Sequence, residues 1–230
     1  MKETGSYRKL WNRQQTEFRG VLLSFNQHSR AIQMFLSQHA MLHSAKLAQS
    51  EPWSFEDELF SDLSEEQTRR IPPSFEHSIA WNIWNIARIE DVAMNMLVAG
   101  SPQILHRGNW LERMKIDVRD TGNLMVPENV AKLSATIDVE ALRAYRLTIG
   151  RRTRHIVQQL QPQALKLKVE PSRLQKVVQE GAVVAAAGDL IDYWSKRSIA
   201  GLLLIPATRH NFVHLNESLS IKSSGTATRR

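Results

Sequence analysis

Apolar side chains recur along most of this chain at steps of three, four and seven, the spacing of one face of an α-helix. In residues 14–49 the stripe is Phe18, Val21, Leu22, Phe25, Ile32, Phe35, Leu36 and Leu42. It predicts one long helix with Gly20 as its weak link. Ser54, followed by Asp57 and Glu58, predicts a short helix start, and Pro72 and Pro73 forbid its continuation. Residues 74–100 predict a second long helix, capped at Ser74 and closed by Gly100 and Pro102. Its apolar positions cover most of the circumference, which places it deep in a core. Residues 101–137 carry Gly108, Gly122 and Pro127 and predict only a short helix at NWLERMKI. A third long helix follows, capped by Asp138 and stopped by Pro162, then two shorter ones near 171–181 and 187–196. The fourth long helix starts near Ser198, with Pro206 bending or restarting it. No stretch alternates with period two. The pattern predicts an all-α fold: a four-helix bundle with additional short helices in its connections. One domain spans 1–222, and 223–230 is expected to be a disordered tail.

Composition narrows the function. With 230 residues and 42% hydrophobic content, the chain can bury a sizeable core. No segment approaches 18 uncharged apolar residues, so no membrane span is expected. The N-terminal stretch lacks the apolar core of a secretory signal. Both features predict a cytoplasmic protein. The chain has no cysteine, which excludes disulfides, thiolate catalysis and sulfur-ligated zinc. The formal charge of +7 comes from scattered residues, notably GRRTRH at 150–155 and the last few positions. Without a long basic run or an aromatic–basic ladder, this describes a solvated basic surface rather than a nucleic-acid site. No Gly-rich phosphate loop and no Ser-His-Asp order is present.

The stretch TRHNFVHLNES, residues 208–218, places His210 and His214 four apart on one helix face, with Glu217 three further on. Imidazoles at that spacing can both reach one divalent ion. It follows the apolar run GLLLIPAT, so its helix has buried turns, as the metal sites of bundles require. A second pair with the same spacing, His39 and His43, lies on the first helix. The second helix adds Asn82, Asn85, Arg88, Glu90, Asp91 and Asn95, which form either its solvated side or the wall of a polar pocket. Arg88 can pair with Asp91 or Glu90, or position a substrate acid.

The segments SIAWNIWNIARIED and RHNFVHLNE together resemble the DinB-like superfamily. Its members are four-helix proteins, often dimeric, and many hold a divalent metal with three histidines. The resemblance implies a metal-dependent hydrolase or thiol-dependent transferase using zinc or nickel, a small thiol and a small-molecule substrate, in a homodimer. It implies His210 and His214 as metal ligands and Asn85 at the third ligand position. Glu217 is then the catalytic carboxylate and Arg88 a cofactor-binding cation. An amide oxygen is a poorer ligand for zinc or nickel than imidazole. The site therefore binds its metal weakly, recruits another ligand such as Glu217, or is lost. His77 stands more than two helical turns before Asn85, which makes it a poor substitute. The alternatives are a non-catalytic bundle for binding or dimerisation, and a basic helical protein that binds nucleic acid.

Overall fold

The computed structural model describes residues 2–48 and 53–226. The helices in chain order are α1 (Lys2–Val21), α2 (His28–Leu42), α3 (Phe55–Phe60), α4 (Glu65–Arg69), α5 (Ile79–Asp91), α6 (Trp110–Met114), α7 (Pro127–Thr136), α8 (Val139–Gln159), α9 (Pro171–Gln179), α10 (Gly188–Ser195), α11 (Ile199–Leu204) and α12 (His210–Thr226). Among the described residues there is no β-strand. The bundle consists of α2, α5, α8 and the α11–α12 pair. Helix α5 packs against both α8 and α12, and α1 lies along α2. The shorter helices fill the connections, and the all-α expectation holds.

Local chemistry explains the boundaries. Ser54 caps α3 by accepting from the Asp57 N–H, and Ser64 with Gln67 forms a reciprocal capping box on α4. Asp138 caps α8 through the Ala141 N–H. The cap of α5 is Ser78, not the expected Ser74, which stays in the loop after the two prolines. The first stripe does not form a single helix. It breaks between Val21 and His28, where the polar residues Ser24, Asn26 and Gln27 close tight turns and Phe25 swings out to solvent. Helix α7 was not foreseen, although Pro127 at its first position was a legible signal. Helix α12 runs on to Thr226, into the expected tail; residues 227–230 lie outside the described residues.

Two of the bundle helices change pitch midway. Helix α5 continues as π-helix over Val92–Val98, and α11 joins α12 through a π-helical turn, Ile205–Arg209, around Pro206. The loosened carbonyls near the proline are taken by side chains. Thr208 Oγ1 donates to Leu203 and Leu204, Gln15 Nε2 to Leu204, and Asn211 Nδ2 to Pro206.

The core falls into two apolar clusters stacked along the bundle. One is built from Phe18, Phe35, Val92, Leu97, Val157, Trp194 and Leu203 with their neighbours. The other is built from Trp11, Phe55, Ile83, Trp84, Tyr145, Ile149, Phe212 and Leu215. Each bundle helix crosses from one cluster to the other through polar or small residues. These are Gln38 and His39 on α2, Arg88, Glu90 and Asp91 on α5, Gly150 and Thr153 on α8, and Thr208 and Asn211 at the start of α12. A buried polar layer thus cuts the bundle where the two π segments lie.

Gly150 shows how tightly this layer is packed. A Cβ added there would sit 2.8 Å from His43 Nδ1 and 3.0 Å from its Cε1. A mid-helix glycine normally gains about 0.5–1 kcal/mol on change to alanine. Gly150→Ala instead destabilises, by roughly 1–3 kcal/mol, because the buried His43 ring must shift. Gly20→Ala, where the added carbon meets nothing within 4 Å, stabilises. Urea unfolding of the two variants against the parent chain checks the opposite signs.

Candidate metal centre

The polar layer organises around three charged groups. Arg146 of α8 is fully buried; its Nε donates to Glu56 Oε2 (2.8 Å), its NH1 to Asn211 Oδ1 (2.6 Å) and its NH2 to the Leu42 carbonyl (2.8 Å). These bonds hold α8 to α2, α3 and α12. Arg88 is the second. Its Nε donates to the Arg119 carbonyl, NH1 to Asp91 and Tyr145, and NH2 to Gln103 and the Arg119 carbonyl. Every N–H of the guanidinium is taken. Arg88 therefore fastens the 101–126 connection to α5, and has no donor left for a cofactor. Asp91 completes this network by accepting from Tyr145 and from the backbone of Ile104 and Leu105. Burial pushes the Tyr145 hydroxyl well above its usual range, so it stays a donor.

Glu90 is the third group, and among the described residues it has no guanidinium or ammonium partner. Its Oε1 faces His39 Nε2 at 2.9 Å, and its Oε2 faces His43 Nε2 at 3.0 Å and accepts from Asn211 Nδ2 at 3.1 Å. All three side chains are within 1% of full burial. The His39 and His43 rings lie 4.2 Å apart, His39 in the last turn of α2 and His43 at its extended C-cap. Their ligand atoms and a Glu90 oxygen lie within 4.8 Å of one another, so the group can hold a metal ion. Burial acts to raise the Glu90 carboxyl, but the imidazoles of His43 and His39 outweigh it and hold the group well below the usual carboxylate range. Burial, reinforced by Arg146, lowers His43 to about 3.

His210 and His214 stand beside this group at the start of α12, with ring centroids 4.7 Å apart. Asn211, between them in sequence, is the residue bonded to Glu90 and Arg146. Both residues are half-buried, unlike His39 and His43; the His214 side chain is 18% exposed, whereas His210 Nδ1 is buried. His214 Nδ1 lies 3.0 Å from Asn82 Oδ1 and 3.2 Å from Glu217 Oε2. Two acceptors at Nδ1 place a proton on that nitrogen and fix the orientation of the ring. Burial, with His214 and Arg146 adding to it, lowers His210 to about 3, so its imidazole is neutral at pH 7. The bond from His214 keeps Glu217 ionised by lowering its carboxyl.

The structure thus brings His210, His214 and Glu217 together, as their spacing requires. Asn85 faces another way with its nitrogen: Nδ2 donates to the Thr121 carbonyl at 2.8 Å, and Oδ1 is buried without a partner. The α5 amide that touches His214 is Asn82, itself held by a bond from its Nδ2 to Ser218 Oγ. His77 was set aside on helical spacing, but it precedes the cap of α5, so that spacing does not apply. It stacks on Trp81 at 3.7 Å and lies within electrostatic reach of His214 and Glu217. Glu90 and Arg146 were not foreseen as centres of the layer. The signals were there: an acidic residue in an apolar helix, and a second H-x-x-x-H pair on α2.

The sequence model of the DinB superfamily matches residues 56–191, more than half of the chain. The chain belongs to the DinB superfamily. The matched stretch includes Asn85, Arg88, Glu90 and Arg146 and ends before His210. No curated protein matches the chain.

The two depressed histidines make stability pH-dependent. Between the ordinary histidine value of 6.5 and about 3, the unfolded chain takes up protons at His43 and His210 that the folded chain does not. Stability is therefore fully present above 6.5 and falls as pH drops through this window, by up to about 2 kcal/mol per histidine at pH 5. Urea midpoints of chelator-treated protein at pH 7 and pH 5 check this, and the fall is shallower in His43→Gln.

Proposed function

We propose that this DinB-superfamily chain is a metal-dependent enzyme of the hydrolase or thiol-dependent transferase type. Its reactive face is the half-buried pair His210 and His214. The observation that carries the reading is the geometry of the pair: Asn82 Oδ1 and Glu217 Oε2 both face His214 Nδ1, which turns Nε2 to the other side of the ring, and the His210 ring stands 4.7 Å away. That is the arrangement a divalent zinc or nickel ion needs from histidine ligands. Asn85 supplies Oδ1 as the third donor; this oxygen is buried and unpartnered, and the Thr121 bond fixes the amide that bears it.

His210, His214 and Asn85 would hold the cation, which when bound would supply Lewis acidity toward a water or a small thiol. The chain's own residues orient and exclude. Glu217, held ionised by His214, is a weak base and serves chiefly to orient the His214 ring. Trp81 and His77, stacked face to face, wall one side of the pair. Arg88 and Asp91 hold the 101–126 connection over α5 from behind. A homodimer belongs to this reading on the strength of the family resemblance.

Titration of untagged, chelator-treated protein with Zn²⁺ and Ni²⁺ tests the proposal. His210→Ala weakens binding at this face by about 100-fold, and Asn85→His, which supplies the family's third imidazole, tightens it by roughly 10–100-fold. Uptake of less than about a tenth of an equivalent by the parent chain, unchanged by either substitution, contradicts it.

A further inference from the structure

His39, His43 and Glu90 are residues of the polar layer that the reactive face does not use. We propose that these three form a second, closed cation site, which holds one divalent ion of the zinc class and pins α2 to α5 at the centre of the bundle. The inference is independent of the reading given to His210 and His214.

Charge is the first argument. Five ionised side chains are buried in and beside the layer: Arg88, Arg146, Glu56, Glu90 and Asp91. Arg88 pairs with Asp91, and Arg146 with Glu56. Glu90 is left over, fully buried, with only imidazoles and one amide against it. An unpaired carboxylate in such a place is costly unless a cation joins it.

Geometry is the second. Two imidazoles, His39 in the last turn of α2 and His43 at its C-cap, present Nε2 to the two oxygens of one carboxylate, at 2.9 and 3.0 Å. A tetrahedral zinc with bonds of about 2.0–2.1 Å sets its ligand atoms about 3.4 Å apart. The rings need only part by a few tenths of an ångström to admit an ion. Both oxygens of Glu90 face the group, so three residues offer four donor atoms, and Asn211 orients Oε2 by its hydrogen bond. Nitrogen and carboxylate donors without sulfur suit zinc, nickel or iron rather than calcium or magnesium.

Shape is the third. Gly150 leaves the space that the His43 ring fills; any Cβ there would stand 2.8 Å from Nδ1. The group is sealed, with no side chain more than 1% exposed. A sealed set of ligands leaves no room for a substrate, so this is a structural site. Through Asn211 it also fixes the first turn of α12, which carries His210 and His214.

Release kinetics separate this site from the open pair. Protein expressed in zinc-supplemented medium and purified without a tag is mixed with a chromogenic chelator. The parent chain is expected to release zinc in two phases. The open pair empties within the mixing time, and the closed site empties at least about 100-fold more slowly, at the rate of local opening. Glu90→Gln, an isosteric change, removes the slow phase alone, and His39→Gln does the same. The double variant His210→Ala/His214→Ala removes the fast phase alone, and its Tm falls when the slow zinc is withdrawn. Circular dichroism establishes that each variant is folded; if Glu90→Gln does not fold, His39→Gln carries the test. A slow phase that survives Glu90→Gln and His39→Gln overturns the proposal. So does a double variant that binds no zinc while the parent binds one rapidly exchanging equivalent, and that result leaves the open pair intact.

Discussion

A carboxylate buried in the middle of an apolar bundle is the constraint from which the rest of this structure follows. Glu90 sits on the most deeply buried helix, between two hydrophobic clusters, with no lysine or arginine among the described residues bonded to it. An isolated charge in such a place would cost more than most domains have in total stability. The chain answers with donors from two other helices: imidazoles from α2 and an amide from α12. Those donors then need support of their own. Arg146 holds Asn211, Glu56 holds Arg146, and the missing side chain of Gly150 gives His43 its place. Four elements of the bundle are registered to one another by this chain of dependencies.

The same dependencies place the reactive residues. Asn211 must reach Glu90, so the first turn of α12 is fixed, and with it His210 on one side and His214 on the other. The π-helical turn at Pro206 sets the phase of α12 so that Asn211 points inward while both histidines stay half-buried. Asn82 and Glu217 then orient the His214 ring. The pair proposed to hold a metal and the charge compensation in the core are thus two ends of one polar layer. The closed end sacrifices access for rigidity; the open end keeps the access that a reaction requires.

Much of this was legible in the sequence, for reasons that are local. Ser54, Asp138 and Ser198 announce their helices because a cap is a contact between near neighbours. The pair His210 and His214 was legible because a spacing of four on a helix guarantees a shared face. What escaped was set by tertiary packing. Arg88 was expected to pair with Asp91 or Glu90, and the structure pairs it with Asp91, but its remaining donors go to Gln103, Arg119 and Tyr145, 15, 31 and 57 residues downstream, which no local periodicity links to it. The choice between Asn82 and Asn85 as the neighbour of His214 depends on the rotation of α5 against α12, which spacing along α5 alone does not determine. His39 and His43 had the right spacing but no visible partner until α5 was laid against α2. The break between α1 and α2 turned on a few polar residues within an otherwise continuous stripe.

The central claim is that the polar layer is a metal-holding layer with an open and a closed end. A crystal structure of untagged, zinc-loaded protein, with anomalous scattering recorded on both sides of the zinc absorption edge, tests it most directly. The account predicts two peaks, one at the nitrogens of His210 and His214 and one among His39, His43 and Glu90. Direct imidazole–carboxylate hydrogen bonds around Glu90, with no anomalous peak at either end of the layer, would contradict it.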